Sequence, residues 1–99
     1  MDNSNIQYDP NKNISNLNKH GKTLVEVSEV LNDPKAVTKQ VSSKKGKHGE
    51  DRWMTTGNIF QRLWSLIWCK RGEDVRLISG YKAGKKATRV YNNVNKVKK

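Results

Sequence analysis

Cysteine and histidine are scarce in this sequence, and their scarcity excludes several kinds of site. Cys69 is the only cysteine, so the chain cannot form an internal disulfide bond. The two histidines, His20 and His48, supply no metal-ligand spacing. Because Cys69 lies inside an apolar segment, we expect it to fill space in the core rather than to act as a nucleophile. The sequence therefore predicts no metal ion and no cofactor.

Acidic residues and long apolar runs are also scarce. The chain has 99 residues, with 20 Lys and Arg against 9 Asp and Glu, a formal net charge of +11. This excess is typical of proteins that bind nucleic acid, an anionic membrane surface or an acidic protein segment. No apolar run approaches the roughly 18 residues of a transmembrane helix, and the first residues lack the basic-then-apolar order of a secretory signal. We therefore expect a cytoplasmic protein without a membrane partner.

The first third of the chain predicts a short strand followed by two helices. Residues 6–8 fit the strand. Asp9-Pro10 is a helix-start signal, and Gly21 after His20 can end this helix in the left-handed conformation. Two apolar residues three apart give the helix its packing stripe, Ile14 and Leu17. The second helix covers residues 23–31 and ends at Asn32-Asp33-Pro34, with four residues on its inner face, Leu24, Val27, Ser28 and Leu31.

The remaining chain predicts four strands in succession and a last helix. The strands cover residues 36–41, 52–57, 63–69 and 75–80. The first of them is an edge strand, a basic loop follows it over residues 42–50, and the second turns at Gly57-Asn58. Gly72 supplies the positive φ angle in the turn of the last hairpin. The last helix covers residues 84–96, with four residues inward, Ala87, Val90, Tyr91 and Val94.

This order of elements predicts an α+β domain, in which two N-terminal helices and one C-terminal helix pack on an antiparallel sheet of about four to five strands. The tryptophans alternate with apolar neighbours, so we expect at least two of Trp53, Trp64 and Trp68 to be buried. One domain over residues 1–99 accounts for the length, with residues 1–4 and 97–99 disordered.

Several short motifs, taken in order, resemble the BrnT toxins of type II toxin–antitoxin modules. They are Tyr8-Asp9 before a helix, Asn18-Lys19-His20-Gly21 at its end, Asp33-Pro34 after the second helix, Glu50-Asp51-Arg52 before a strand, Arg71-Gly72 at a turn, Val75-Arg76-Leu77-Ile78-Ser79, Lys82-Ala83 and Tyr91. The resemblance covers nearly the whole chain. It implies a RelE-like fold, an endoribonuclease that arrests translation and growth, and a cognate BrnA-like antitoxin. It also implies that operator DNA is bound only through the toxin–antitoxin complex.

The residues themselves suggest how RNA would be cleaved without a metal ion. The ribose 2′-hydroxyl would attack the adjacent phosphate, which requires a base, cations for the phosphorane and an acid for the 5′-oxygen. The candidate catalytic residues are His20, Arg76, Tyr81, Lys82 and Lys86, and the candidate RNA-binding residues are Lys70, Arg71, Lys85 and Arg89. We expect them to converge where the last strand meets the last helix. Lys82, Lys85, Lys86 and Arg89 would share one helical face if the helix began that early.

Two positions depart from what the resemblance implies. The family usually has arginine at the position of Tyr81 and glutamate at that of Ala87, so activity is expected to be weak or altered. Tyr81 could donate a hydrogen bond and stack on a base, and Lys82 could replace the missing cation. For His20, the alternative to proton transfer is to cap the carbonyls at the end of its helix.

Two functional hypotheses therefore stand. The first is the ribonuclease toxin, whose basic groove would be covered by an acidic segment of the antitoxin. The alternative is a basic module that binds nucleic acid without cutting it, or a degenerate toxin kept as the scaffold of a repressor complex.

Overall fold

The computed structural model of the chain describes residues 5–46 and 49–96. Within these residues the strands are β1 (Ile6–Gln7), β2 (Val37–Ser42), β3 (Arg52–Ile59), β4 (Arg62–Arg71) and β5 (Asp74–Lys82). The helices are α1 (Pro10–His20), α2 (Leu24–Val27), a 3₁₀ helix (Ser28–Asn32) and α3 (Lys85–Val94). The predicted α+β class and element order are confirmed. The disorder expected for residues 1–4 and 97–99, and the side chain of His48, lie outside the described residues.

The sheet is mixed rather than fully antiparallel. Its strand order is β1-β5-β4-β3-β2, and β2 to β5 are antiparallel neighbours. β1 runs parallel to β5, with Ile6 beside Val75 and Gln7 beside Arg76. The antiparallel prediction is wrong at this strand because most of the chain separates β1 from β5, so no tight turn sets its direction. Beyond Arg76, no described strand pairs with this edge of β5.

The ends of the first helices follow the predicted signals. The Asp9 carboxylate accepts a hydrogen bond from the Asn11 amide at 2.8 Å, and Gly21 ends α1 with a φ of 90°. α2 begins with a reciprocal capping box between Thr23 and Glu26, and the chain then tightens into the 3₁₀ helix. This tightening changes which side chains are buried, because every third residue now faces the sheet. The fully buried ones are Leu24, Val27 and Val30, whereas Ser28 and Leu31 are only partly buried.

The core lies between the sheet and the segment formed by α2 and the 3₁₀ helix. It consists of Leu24, Val27, Val30, Trp64, Leu66, Val75 and Leu77. Two glycines allow the helical segment to lie directly on the strands. A Cβ at Gly57 would stand 2.8 Å from the Val30 carbonyl oxygen, and one at Gly80 would stand 2.8 Å from the Val27 side chain. We conclude that Gly57 and Gly80 are required for close packing within strands rather than for turns.

The turn between β3 and β4 is three residues later than predicted. Its central residues are Phe60 and Gln61, with φ angles of 49° and 67°, and Ile59 pairs with Arg62 across it. The prediction of a turn at Gly57-Asn58 is wrong because Gly57 is needed under the 3₁₀ helix. The turn between β4 and β5 contains Gly72 at a φ of 63°, as predicted. The sequence thus identified one of the two hairpin turns.

α3 covers part of the opposite face of the sheet, against β2 and β3. Tyr91 is buried there and its hydroxyl donates to the Asp33 carboxylate at 2.8 Å. Val94 was predicted to point inward but is exposed, because α3 ends at this residue. None of the helices in the described ranges is long and apolar enough to span a bilayer.

The burial of the tryptophans differs from the prediction. Trp64 alone is buried, whereas Trp53 and Trp68 are partly exposed. These two rings stack on each other across β3 and β4, with centroids 5.2 Å apart. The Trp68 indole N–H also donates to the Thr55 hydroxyl at 2.9 Å. The prediction that two would be buried is wrong because Trp68 packs only partly against the core, and its stacking partner Trp53 is left partly exposed with it.

Candidate active site

The free edge of β5 is closed at one point by a side chain of α1. The Asn16 amide nitrogen donates to the Gly80 carbonyl at 2.7 Å, and the Gly80 amide donates to the Asn16 side-chain oxygen at 3.1 Å. The same nitrogen donates to the Lys22 carbonyl at 2.8 Å. Asn16 is only 6% exposed. One asparagine therefore forms the pair of hydrogen bonds that a neighbouring strand would have formed, and it fixes α1 beside β5.

The Asn16 hydrogen bonds hold α1 beside β5, a role that was predicted for the apolar stripe of Ile14 and Leu17. Ile14 is 54% exposed and Leu17 is 40% exposed, so neither packs the helix against the core. The prediction is wrong because α1 lies against a strand edge, where unpaired backbone N–H and C=O groups need polar partners. An asparagine meets this need, whereas a leucine does not.

His20, Tyr81 and Lys82 come together at this edge, and we call them the edge site. The rings of His20 and Tyr81 lie with centroids 5.9 Å apart at an angle of 52°. The end of α1 is capped by the Gly21 amide, which donates to the Leu17 carbonyl at 2.9 Å, while the His20 ring lies against Tyr81. Asn16 and His20 are four residues apart and share a helical face, so the Asn16 bonds also position His20.

Two surface pockets border the edge site. The first, which we call the basic pocket, measures about 350 Å³ and is lined by His20, Gly21, Lys22, Ile59, Phe60, Arg62, Trp64 and Lys82. The second, the α3 cleft, measures about 260 Å³ and is lined by Lys39, Val41, Met54, Ser65, Tyr81, Gly84, Lys86 and Ala87. The Tyr81 hydroxyl lies 4.0 Å from the Met54 sulfur in the α3 cleft. Trp64 and Lys82 line the basic pocket, whereas their strand neighbours Ser65 and Tyr81 line the α3 cleft, so the two pockets lie on opposite faces of the sheet.

The candidate residues at the turn of the β4–β5 hairpin, Lys70, Arg71 and Arg76, do not join this cluster. Lys70 pairs with Val75, Arg71 pairs with Asp74, and Arg76 lies opposite Cys69, whereas Lys82 lies opposite Trp64. At ~3.3 Å per residue, about 20 Å of β5 separates Arg76 from Lys82. The expectation of one converging cluster is wrong, because the hairpin places Lys70 and Arg71 beside the beginning of β5 rather than its end. We call the region of Glu50, Arg52, Lys70, Arg71 and Arg76 the hairpin end.

Acidic groups neutralise part of the hairpin end. The Glu50 carboxylate accepts from Arg52 Nε at 2.8 Å and from Arg71 Nη1 at 3.2 Å. The hydrogen bond from Arg52, supported by the charges of Arg71 and Arg52, lowers the pKa of Glu50 below its ordinary value. Arg71 was expected to bind RNA, but its guanidinium already has a carboxylate partner.

The lysines near α3 are placed on two elements. α3 begins at Lys85, so Lys82 belongs to β5, and the prediction of one helical face for all four cations is wrong. Lys86 lines the α3 cleft, while Lys85 and Arg89 are exposed one helical turn apart. Lys86 is thus the cation of α3 that lines the same cleft as Tyr81.

Comparison with known proteins identifies the family. A family model described as the ribonuclease toxin BrnT of type II toxin–antitoxin systems matches residues 8–87. The chain belongs to the BrnT family. A comparison with curated proteins gave no match. The matched BrnT segment contains α1, the whole sheet from Tyr8 onward and the edge site, whereas Arg89 and Tyr91 lie beyond it. Membership in this family brings RNA as the substrate class and an antitoxin protein as the partner.

The two positions that depart from the expected BrnT pattern occupy the same place in the structure. Tyr81 and Ala87 both line the α3 cleft, as does Lys86. The cleft beside the edge site is therefore where this BrnT protein differs from the pattern that the resemblance implies.

Four residues of the candidate site were missed by sequence reasoning. They are Asn16, Lys22, Phe60 and Arg62. A usable signal existed for Asn16, which is spaced four residues from His20 in a helix with few apolar residues. No local signal marks Lys22, Phe60 and Arg62, because they join the site only through the β3–β4 turn and the end of α1.

Cys69 is buried, as predicted for a packing residue. Its burial raises the pKa of its thiol, and the nearby Glu50 carboxylate acts in the same direction. Among residues 5–46 and 49–96, no three His, Cys, Asp or Glu side chains are grouped as a metal site would require. Cys69 therefore has no place in the candidate chemistry of this BrnT protein.

Proposed function

We propose that this BrnT protein is a metal-independent endoribonuclease that cleaves RNA in the cytoplasm and arrests growth until a BrnA-like antitoxin binds it. The observation that carries the proposal is the edge site. The His20 ring lies against Tyr81, which lines the α3 cleft, and His20 lines the basic pocket together with Lys82. We also propose that the chain is a single domain with a RelE-like fold.

The edge site supplies the groups that RNA cleavage requires. We assign His20 as the base that takes the proton from the ribose 2′-hydroxyl, because histidine changes its protonation most readily near neutral pH. The 2′-oxygen then forms a bond to the adjacent phosphorus, and the bond from phosphorus to the 5′-oxygen breaks. Lys82 stabilises the negative charge of the phosphorane between these two steps.

In this proposal the leaving 5′-oxygen lies on the side of Tyr81 that faces the α3 cleft. The Tyr81 hydroxyl faces the α3 cleft beside Met54, so we assign it as the donor that protonates the departing 5′-oxygen. Lys86 in the same cleft holds the next phosphate. The products are a 2′,3′-cyclic phosphate and a 5′-hydroxyl, which balance the bonds formed and broken.

Several basic residues have different roles in this proposal from those predicted from the sequence. Lys85 and Arg89 bind RNA beyond the cleft, whereas Lys70, Arg71 and Arg76 contact distant phosphates or none. The antitoxin places an acidic segment over the edge site, as the net charge of +11 favours. Operator DNA is bound only by the complex.

A non-catalytic role is the second candidate, and one observation favours it. Tyr81 and Ala87, where the resemblance predicts arginine and glutamate, line the same cleft. If those two groups are essential for cleavage, the chain is a basic nucleic-acid-binding scaffold within a repressor complex.

Expression without the antitoxin distinguishes the two functions. For the ribonuclease, we expect growth arrest, and the purified protein should fragment RNA in the presence of EDTA into products with 2′,3′-cyclic phosphate ends. His20→Gln should abolish both effects while retaining the RNA gel shift. Intact RNA together with a retained gel shift of the wild-type protein would instead establish the binding scaffold.

A further inference from the structure

Phe60 has no structural reason to be phenylalanine. Its side chain is 96% exposed at the tip of the β3–β4 hairpin, so it contributes almost nothing to the core. Its φ of 49° lies in the left-handed region, which is unfavourable for a bulky residue. A two-residue turn with positive φ at both positions normally favours Asn-Gly over Phe-Gln. Backbone strain of this kind clusters at functional sites, so the strained position of Phe60 indicates a role in binding.

The surroundings of Phe60 indicate what it binds. Phe60 lines the basic pocket together with Lys22, Arg62 and Lys82, and none of the acidic residues that the structure describes lines this pocket. Lys22 Nζ lies 5.4 Å from the centroid of the Trp64 ring, which holds this cation near the pocket. On its other side, Phe60 borders a pocket of about 430 Å³ that contains Glu29 and Asp33. A polyanion would therefore approach Phe60 from the side of the basic pocket.

We propose that Phe60 is a base-stacking residue, and that the basic pocket holds one unpaired nucleotide of the RNA next to the edge site. The base stacks on the Phe60 ring, and its flanking phosphates lie against Lys22, Arg62 and Lys82. An aromatic face beside several cations is the usual combination for binding single-stranded nucleic acid. This inference rests on the proposed function, because His20 and Lys82 belong to both the edge site and the basic pocket.

The alternative occupant is an apolar side chain of a protein partner. The three cations that line the pocket with Phe60 disfavour it, since a protein segment that covered them would have to supply several carboxylates as well as an apolar group. The RNA backbone supplies the negative charges and the base supplies the flat apolar surface. We therefore assign Phe60 to RNA and use the protein partner as an outcome of the test.

Because the turn has positive φ angles, one substitution can remove the Phe60 ring without destabilising the fold. Phe60→Asn removes the ring and places a residue that tolerates positive φ, so its Tm should equal or exceed that of the wild type. Gln61→Gly is the matched control, because it relaxes the same turn and keeps the ring. Phe60→Tyr keeps a stacking surface and should behave as the wild type. Loss of binding by Phe60→Asn could therefore not be attributed to unfolding.

The measurement is binding of a fluorescent, fully 2′-O-methylated oligonucleotide, which cannot be cleaved through its 2′-oxygen. We expect Phe60→Asn to weaken binding roughly 10-fold, with Gln61→Gly and Phe60→Tyr unchanged. The slope of log affinity against log salt should not change in Phe60→Asn, whereas Lys82→Met should reduce it by about 0.7. On an oligomer with the same phosphates but abasic spacers, Phe60→Asn should equal the wild type.

Three results would overturn the inference. Equal affinity of Phe60→Asn and the wild type for the base-containing oligonucleotide would remove the stacking role while leaving the proposed ribonuclease intact. Unchanged RNA binding with weakened binding of the antitoxin would assign Phe60 to the protein partner. A wild-type protein that neither binds nor cleaves RNA would remove the proposed function and this inference together.

Discussion

The edge site and the hairpin end lie at opposite ends of β5. Both have several cations, if Lys22 and Arg62 of the adjoining basic pocket are counted with Lys82 of the edge site. At the hairpin end, Arg52 and Arg71 donate to the Glu50 carboxylate. At the edge site, Lys82 faces an open pocket with Lys22 and Arg62, and no ion pair with a carboxylate forms there among the described residues. The difference lies in the pairing of the cations rather than in their number.

This comparison shows why a count of cations does not locate an RNA-binding site. A guanidinium that already has a carboxylate partner contributes less to the local positive potential than an unpaired ammonium group. Among residues 5–46 and 49–96, the edge site also has what the hairpin end lacks, an imidazole and a phenol in contact beside the cations. Its unpaired charge and its proton-transfer groups therefore favour the edge site for chemistry.

The largest effect should come from the proton-transfer group of the edge site. We expect His20→Gln to lower the rate of RNA cleavage by roughly 10²- to 10⁴-fold, because the amide cannot take the 2′-hydroxyl proton. The helix end should remain folded, since Gly21 rather than His20 caps α1. Single-turnover cleavage of a labelled RNA measures the effect. A rate within twofold of the wild type would break the assignment.

The next prediction compares the two ends of β5 directly. Lys82→Met should lower the cleavage rate by about 10²-fold, because one stabilising cation of the phosphorane is lost. Arg76→Met, about 20 Å away along the same strand, should lower it far less. Both rates are measured under identical salt conditions, together with the far-UV circular dichroism of each variant. A larger loss for Arg76→Met would move the active site to the hairpin end.

A third prediction concerns how α1 is held at the edge site. Asn16→Leu leaves the Gly80 amide and carbonyl without their partner, and we expect a loss of ~2 kcal/mol in the free energy of unfolding. Asn18→Leu, an exposed position in the same helix, is the matched control and should change stability little. Urea unfolding provides both values. Equal stability of the two variants would show that Asn16 does not anchor α1.

A fourth prediction tests the anchor of α3, which forms one wall of the cleft. Tyr91→Phe removes the bond to Asp33 and should reduce stability by about 1–2 kcal/mol. Burial, with help from the Asp33 carboxylate, raises the pKa of Tyr91 to about 12 from an ordinary 10.0. Because the folded pKa is the higher one, this stabilisation is complete below pH 10 and is lost as the pH rises to 12.

The pH dependence supplies the control for this fourth prediction. Thermal unfolding of the wild type should show a decline in Tm between pH 10 and 12 that Tyr91→Phe lacks. Parallel curves for the two proteins across this range would contradict the role of the Tyr91 hydroxyl.

The smallest effect is expected at the hairpin end. Arg71→Met breaks an exposed ion pair with Glu50, so we expect little change in stability, and less still at high salt. RNA cleavage should stay within twofold of the wild type. A strong loss of cleavage without loss of stability would show that Arg71 leaves Glu50 to bind RNA.

Sequence reasoning succeeded where the signal is local. The Asp9 cap, the Gly21 end of α1, the Gly72 turn and the burial of Cys69 each depend on a few neighbouring residues, and all were predicted correctly. It failed where a residue responds to a distant one. Gly57 was read as a turn because its close contact with Val30 comes from another element.

The candidate site shows the same division. His20, Tyr81 and Lys82 were named from the sequence, and the structure brings them together. Arg76, Lys70 and Arg71 were grouped with them, but strand register places these three at the other end of β5. Proximity along the chain suggested one cluster, whereas an extended strand separates its two ends by its full length.

By itself, the sequence determined the positive charge, the order of helices and strands, the caps and the family to which the chain belongs. These properties follow from composition and from short-range patterns that no distant contact can alter. Only the tertiary structure decided which cations remain unpaired, that Asn16 closes the edge of β5, and that Phe60 stands beside the basic pocket. Each of these depends on which strands and helices become neighbours, and that is set by packing of the whole core rather than by any local run of residues.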